Sequence, residues 1–239
     1  MGRVALITGA TGGLGKVLLA HLIMDPEIET VFATTRNEQT VRHDKVQWLK
    51  LDYLSPDSIY KAVADVKNRT EQLDTLISAS GYLHGTTGHP EKNLSSIRLD
   101  ALESSYRINT TGPLSMFSAL CPLFKRSERA VIAFLSAQLG SIEDNNSGGW
   151  YGYRMAKAAL NMSIKTASIE VERWKNKPVI AAIHPGTTYT DLSKPFVKHR
   201  KEQVRSAKAS GDLIYHLIGS LGPEQNGAFL RATGETLPW

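Results

Sequence analysis

Cysteine is almost absent from this sequence: Cys121 is the only one in 239 residues. A lone thiol excludes an intrachain disulfide, and with it the stapled frameworks of small secreted proteins, so a reducing, cytoplasmic setting is expected. Long apolar runs are missing too. All fall far short of the roughly 20 residues that a membrane-spanning helix needs. No basic stretch followed by a cleavable apolar one opens the chain, and no membrane partner is expected. Met1-Gly2 begins like a myristoylation signal, but Leu6 stands where serine or threonine is required. There are no internal repeats and no low-complexity tracts. With no shift in composition along its length, the chain is expected to form one domain over residues 1–239.

Charge imbalance is lacking over most of the sequence. The formal net charge is +5, yet between positions 194 and 208 six basic residues (Lys194, Lys198, Arg200, Lys201, Arg205 and Lys208) face only Glu202. That one segment carries the whole imbalance. A nucleic-acid-binding surface needs a basic stripe with stacking aromatics or a groove-reading motif. A single basic segment instead predicts a solvated helix or loop near a site, or attraction of an anionic substrate. No nucleic-acid partner is expected.

What is present is alternation. Short apolar runs predict strands over 4–8, 30–34, 46–51, 75–79, 130–136, 179–184 and 228–231. Amphipathic stretches between them predict helices over 14–24, 56–68, 101–124, 152–175 and 208–218. Pro56 suits a first helical turn after the capping residue Ser55. The pattern is that of an α/β chain: a single Rossmann-like, doubly wound domain whose parallel sheet of about seven strands carries helices on both faces. Segments 82–94, 141–149 and 187–206 have loop character. All three follow strands, and open α/β sheets bind ligands at the carboxyl ends of their strands.

After the first predicted strand comes Thr8-Gly9-Ala10-Thr11-Gly12-Gly13-Leu14-Gly15. So many glycines at a strand-to-helix turn cost backbone entropy unless the turn needs them. A pyrophosphate supplies the need, because backbone must approach it closely and the helix N-terminus offers free N–H groups and a positive dipole end. The spacing has two readings. Gly9, Gly13 and Gly15 fit T-G-x-x-x-G-x-G, used by compact dehydrogenases. Gly9, Gly12 and Gly15 fit T-G-x-x-G-x-x-G, used by larger sugar-nucleotide epimerases. Only about fifty residues follow the sixth strand, which favours the compact form.

An acidic residue ending the second strand would grip a ribose 2′-hydroxyl. This chain instead reads Phe32-Ala33-Thr34-Thr35-Arg36-Asn37. A guanidinium there pairs with a 2′-phosphate through several charge-assisted hydrogen bonds, so the expected cofactor is NADP(H).

Tyr153 and Lys157 stand four residues apart on a predicted helix, hence on one face, with Cβ atoms roughly 5–6 Å apart. An ammonium near a phenol stabilises phenolate and brings the hydroxyl toward the working range of an acid or base. These residues belong to a wider set: the glycine loop, Arg36, Asp52, Asn109, Leu139-Gly140-Ser141-Ile142, and the run from Gly148 through Arg154 with Lys157. The set continues with His184-Pro185-Gly186-Thr187, Asp191 through Phe196, and Leu237-Pro238-Trp239. On these the chain resembles the short-chain dehydrogenase/reductase family over essentially its full length, in particular the C-factor and sniffer-type carbonyl reductases.

The resemblance implies that Tyr153 gives a proton to a carbonyl oxygen while NADPH delivers hydride to carbon. It implies that Lys157 holds the nicotinamide ribose and lowers the tyrosine pKa, and that Asn109 anchors a water in a proton relay. Gly9, Thr11, Gly13, Leu14 and Gly15 would cradle the pyrophosphate, Asp52 would contact adenine, and Ala79, Ser80 and Gly81 would pack against the cofactor. The turn with Pro185, Gly186, Thr188 and Thr190 would touch the nicotinamide amide and phosphate. A mobile lid is expected around 187–208, and assembly as a homodimer or homotetramer through helices 101–124 and 152–175.

Two departures stand out. Ser78-Ala79-Ser80-Gly81 replaces the family's Asn-Asn-Ala-Gly, and counting back from Gly140 puts Ala137 where the catalytic serine belongs. Ser136, one residue early, would point the wrong way along a regular strand unless a bulge re-aims it. It is the expected carbonyl-orienting residue, with Ser141 in reserve.

The expected substrate is a small aldehyde or ketone. The departures also admit a catalytically weak or inactive nucleotide-binding regulator of the C-factor type, against which Tyr153 and Lys157 count. A nucleotide-sugar enzyme is disfavoured by the missing substrate domain. Arg36→Ala is expected to erode the preference for NADPH over NADH by about tenfold or more, the worth of a charge-assisted pair. An unchanged ratio of the two kcat/KM values would overturn the NADP(H) assignment.

Overall fold

Ala5, Leu6 and Ile7 are all fully buried, as are Ile180 to Ile183. Strands buried on both faces read as continuous apolar runs and belong to the middle of a parallel sheet covered by helices. The computed structural model, which describes residues 2–37, 42–85, 88–197 and 204–239, has that arrangement. In chain order the elements are β1 (Arg3–Thr8), α1 (Gly13–Met24), β2 (Ile28–Thr35), β3 (Val46–Lys50), α2 (Pro56–Lys67), β4 (Thr75–Ser78), α3 (Leu99–Tyr106), α4 (Gly112–Phe124) and β5 (Val131–Leu135). Then follow α5 (Tyr151–Val171), β6 (Val179–His184), β7 (Thr188–Tyr189), β8 (Arg205–Ser206), α6 (Ala207–Ser220) and β9 (Ala228–Arg231).

Seven strands form one sheet in the order β3-β2-β1-β4-β5-β6-β9, every pair parallel. The order reverses between β1 and β4, which opens a crevice at their carboxyl ends. Alternation along the strands feeds two cores. Ile7, Ala33, Ala133 and Ile183 meet α1 and α6 through Leu18, Leu22, Ile214 and Ile218. Leu6, Phe32, Phe134 and Ala182 meet α2, α4 and α5 through Val63, Phe117 and Leu160. Ser55 caps α2 as expected, accepting from the Ser58 N–H.

Three expectations are corrected. The helix expected over 101–124 starts at Leu99 and is interrupted at Arg107–Thr111 by a π-type turn. Pro113 has no N–H to give the Asn109 carbonyl and its ring crowds that carbonyl, which widens the turn. The last helical turn expected up to 175 is absent, α5 ending at Val171. Within the loop expected over 187–206, Thr188 and Tyr189 pair in parallel with Arg205 and Ser206. The basic residues Lys198, Arg200 and Lys201, with Glu202, lie outside the described residues, as does part of the expected lid.

The glycine loop is held by α1, and α1 is held by α6 at Gly211. A β-carbon there would sit 2.4 Å from Val17 Cγ1 and 2.8 Å from Val17 Cβ. Gly211→Ala gains up to about 1 kcal/mol in helix propensity, but overpacking costs typically 1–3 kcal/mol. A net loss of about 1–2 kcal/mol is expected in denaturant titration; a gain in stability would show that α1 and α6 can separate freely.

Candidate active site

The glycine loop closes on itself and on β4. Gly9 has φ +68, and a β-carbon on it would sit 2.8 Å from the Ser80 nitrogen. One on Gly15 would meet the Gly9 carbonyl oxygen at 2.0 Å, and one on Gly13 would meet Thr190 Cγ2 at 2.6 Å. Gly12 is less restricted, with its nearest neighbour at 3.3 Å. Sterics therefore select Gly9, Gly13 and Gly15, the compact spacing. Gly12 is the N-cap of α1 and provides no side-chain cap, and the first turn holds no acidic residue. The N–H groups of Gly13, Leu14 and Gly15 and the positive helix end are thus left for a ligand.

They face a cleft of about 420 Å³ whose lining includes Thr11, Arg36, Asp52, Ala79, Ser80, Gly81 and Thr190. Sequence reasoning missed Tyr53 and Ile108, which also line it. Tyr53 packs its ring where a Gly112 β-carbon would be, 2.6 Å away. Its buried hydroxyl donates to Met116 Sδ at 3.8 Å, and burial pushes it up to about 12. No motif in the sequence marks that contact. A dinucleotide fits this cradle: close-packed glycine backbone, free N–H groups, and a guanidinium at the rim.

Beyond the cleft, α5 brings Tyr153 and Lys157 to the end of β5. Lys157 is 2% exposed. Its ammonium donates to the Leu135 carbonyl at 2.8 Å and lies 5.8 Å from the centre of the Tyr153 ring. Burial pushes Lys157 down to about 8 and Tyr153 up to about 12. Desolvation thus holds Tyr153 as a neutral phenol. Among the described residues no group hydrogen-bonds the Tyr153 hydroxyl. Asn109, in the π-type turn, donates to the Tyr82 carbonyl at 2.8 Å and accepts from the Tyr82 N–H at 3.0 Å. It also donates to Ser105 Oγ at 3.2 Å.

Comparison with known proteins bears on this arrangement. The family model described as short chain dehydrogenase matches residues 3–201. The chain belongs to the short chain dehydrogenase family. The carbonyl reductase Sniffer of D. melanogaster is 27% identical, with both chains fully covered and a TM-score of 0.88. An NADPH-bound carbonyl reductase from chicken fatty liver is 26% identical at a TM-score of 0.88, with 100% of this chain and 94% of that one covered. C-signal of Myxococcus xanthus is 32% identical over 135 residues, 56% of this chain and 76% of that protein.

Ser136, the expected carbonyl-orienting residue, follows β5 with its hydroxyl already engaged. Like Phe134 it faces α5, where it is 3% exposed, and its hydroxyl donates to Asn161 Oδ1 at 2.6 Å. No bulge re-aims it. Ser141 is equally occupied, donating to the Trp239 carbonyl at 3.1 Å and accepting from the Asp144 N–H at 3.0 Å. Ala137 holds the position between them without a hydroxyl. Thr188 is also turned from the cleft, its hydroxyl 2.7 Å from Ser210 Oγ. Pro185 and Gly186 follow β6, and a Gly186 β-carbon would meet the Arg205 guanidinium at 2.6 Å.

Above Tyr153 rings gather from three segments. Trp150 lies edge-on to Tyr153 with centroids 6.4 Å apart and to Phe196 at 5.0 Å, and Phe196 meets His84 at 5.6 Å. His84 also contacts the Asp191 carbonyl at 3.3 Å. Trp150 and Phe196 fall in the runs that carry the family resemblance; nothing in the sequence singled out His84.

The buried ammonium has a measurable signature. Its pKa near 8 lies below the unfolded value of about 10.4. Between these values the unfolded chain binds more protons than the folded one, so stability rises with pH. Relative to Lys157→Met, the wild type is expected to gain about 2 kcal/mol from pH 8 to pH 10 in denaturant titrations. A stability difference that ignores pH would mean that Lys157 is not held dry.

Proposed function

We propose that the protein reduces a small aldehyde or ketone to the alcohol with NADP(H), Tyr153 being the proton donor. The observation that carries this reading is the pair itself: a half-buried phenol with an unengaged hydroxyl, one helical turn from a buried ammonium. The bound NADPH supplies a hydride to the carbonyl carbon. Gly9, Thr11, Gly13, Leu14 and Gly15 hold the pyrophosphate, Arg36 the 2′-phosphate and Asp52 the adenine. Ala79, Ser80 and Gly81 form one wall, and Pro185, Gly186 and Thr190 meet the nicotinamide end. Lys157 holds the ribose and, as a cation below pH 8, stabilises the phenolate left after Tyr153 gives up its proton. Asn109 fixes the π-type turn whose loosened backbone holds a relay water. The similarity to an NADPH-bound carbonyl reductase supports the cofactor choice.

Segment 187–208 is the lid in this reading, with Phe196 as its apolar contact. Met155, Met162 and Ile169, seven residues apart and exposed on α5, support assembly as a homodimer or homotetramer. A lone cysteine supports a cytoplasmic location. No helix among the described residues is long and apolar enough to cross a membrane.

Ala137 favours a second reading, in which the chain binds NADP(H) as a regulator and turns over weakly, because one hydrogen-bond donor to the carbonyl is lost. Similarity to C-signal agrees with it. NADPH oxidation, followed by absorbance against aldehydes, ketones and diketones, separates the two. Turnover is expected in the wild type and a loss of about 10²–10⁴-fold in Tyr153→Phe, the usual worth of a general acid. NADPH binding with equal silence in both proteins would favour the regulator.

A further inference from the structure

Glu91 is a carboxylate in an unusual place. It lies in the loop between β4 and α3, is 6% exposed, and among the described residues forms no ion pair. Carboxylates are rarely buried so fully without a cation, so its hydrogen bonds have to account for it. They go to one turn. Glu91 Oε2 accepts from the Gly152 N–H at 3.1 Å, and the Glu91 backbone carbonyl accepts from the Trp150 N–H at 2.6 Å. The carboxylate thus occupies the N-terminus of the 21-residue α5, where the helix end favours negative charge.

The turn held this way is strained. Gly148, Gly149 and Trp150 have φ of 60, 66 and 55, three left-handed residues in succession, the last a bulky side chain that rarely adopts this conformation. A Gly149 β-carbon would be in van der Waals contact with the Glu91 carbonyl oxygen at 3.4 Å, and a Gly152 β-carbon would meet Glu91 Oε1 more tightly, at 3.0 Å. On the opposite side Arg154 Nε donates to the Gly149 carbonyl at 2.9 Å and its Nη2 to the Gly148 carbonyl at 3.1 Å. The chain is wound between these two residues and delivers Trp150 and Tyr153 to the site. Glu91 also lines a small cavity with Tyr153, Ser105 and His89.

We propose that Glu91 is a positioning residue for the reaction: its carboxylate and carbonyl hold the left-handed entry to α5, and thereby place the Tyr153 hydroxyl and the Trp150 ring. This role rests on Tyr153 being the proton donor of the preceding subsection. It acts through hydrogen-bond acceptance, so an amide oxygen can replace the carboxylate, whereas a methyl group cannot.

Two measurements on Glu91→Ala and Glu91→Gln test it. In Glu91→Ala, kcat is expected to fall about 10- to 100-fold, the effect of misplacing a reacting group by an ångström or less. The dissociation constant for NADPH, read by its fluorescence, should stay within about twofold, since the glycine cleft is untouched. Glu91→Gln should recover most of the loss. Amide hydrogen exchange in peptides covering 150–156 is expected to quicken about tenfold or more in Glu91→Ala and to remain slow in Glu91→Gln. The proposal is overturned if kcat is unchanged, if NADPH affinity falls as far as kcat, if glutamine is as damaging as alanine, or if exchange in 150–156 is unaltered. Should the wild type turn over no carbonyl compound, the proton-donor reading fails on that result, and the exchange measurement alone upholds or overturns Glu91 as the holder of the turn.

Discussion

The catalytic geometry depends on one close approach, that of the turn after β5 to the backbone of α5. A β-carbon on Gly140 would lie 2.7 Å from the Lys157 carbonyl carbon, so the two segments touch backbone to backbone. That contact lowers α5 onto the end of β5 until the Lys157 ammonium reaches the Leu135 carbonyl. Desolvation of an ammonium is expensive, and one carbonyl satisfies only part of it. The same closeness places Ser136 against Asn161.

Electrostatics follows from burial rather than from pairing. Tyr153 and Lys157 are both moved toward their neutral forms. A neutral phenol has a proton to give, and an ammonium beside it would gain a partner if phenolate formed. At the other end of the crevice the logic is reversed. The N-terminus of α1 has neither a capping side chain nor an acidic residue in its first turn, and Arg36 stands exposed at the rim. One half of the crevice thus offers groups that suit an anion, and the other a neutral phenol near an ammonium.

Much of this was legible in the sequence, unevenly. All seven sheet strands were, because buried parallel strands are written as apolar runs. The glycine loop, Arg36, Tyr153 and Lys157 were legible because motif spacing and helical periodicity are local properties. The spacing could not choose between Gly12 and Gly13. Thr190, 177 positions after Gly13, makes the choice by filling the space its β-carbon would need. Asn109 was named, but not the π-type turn that gives it its partners. Tyr53, His84 and Glu91 carried no signal, since what distinguishes them is a neighbour far along the chain.

By itself, the sequence determined the layering of the fold, the glycine-rich turn before α1 and the placing of Tyr153 and Lys157 on one helical face. Each is encoded within a window of a few residues, through alternation, backbone freedom at glycine, or the pitch of a helix. The tertiary structure alone decided which way Ser136 and Thr188 point, how far Lys157 is removed from water, and how α5 is entered. Those depend on desolvation and on hydrogen-bond partners such as Asn161, Ser210 and Glu91. Such partners become neighbours only once the sheet has assembled and the helices have closed over it.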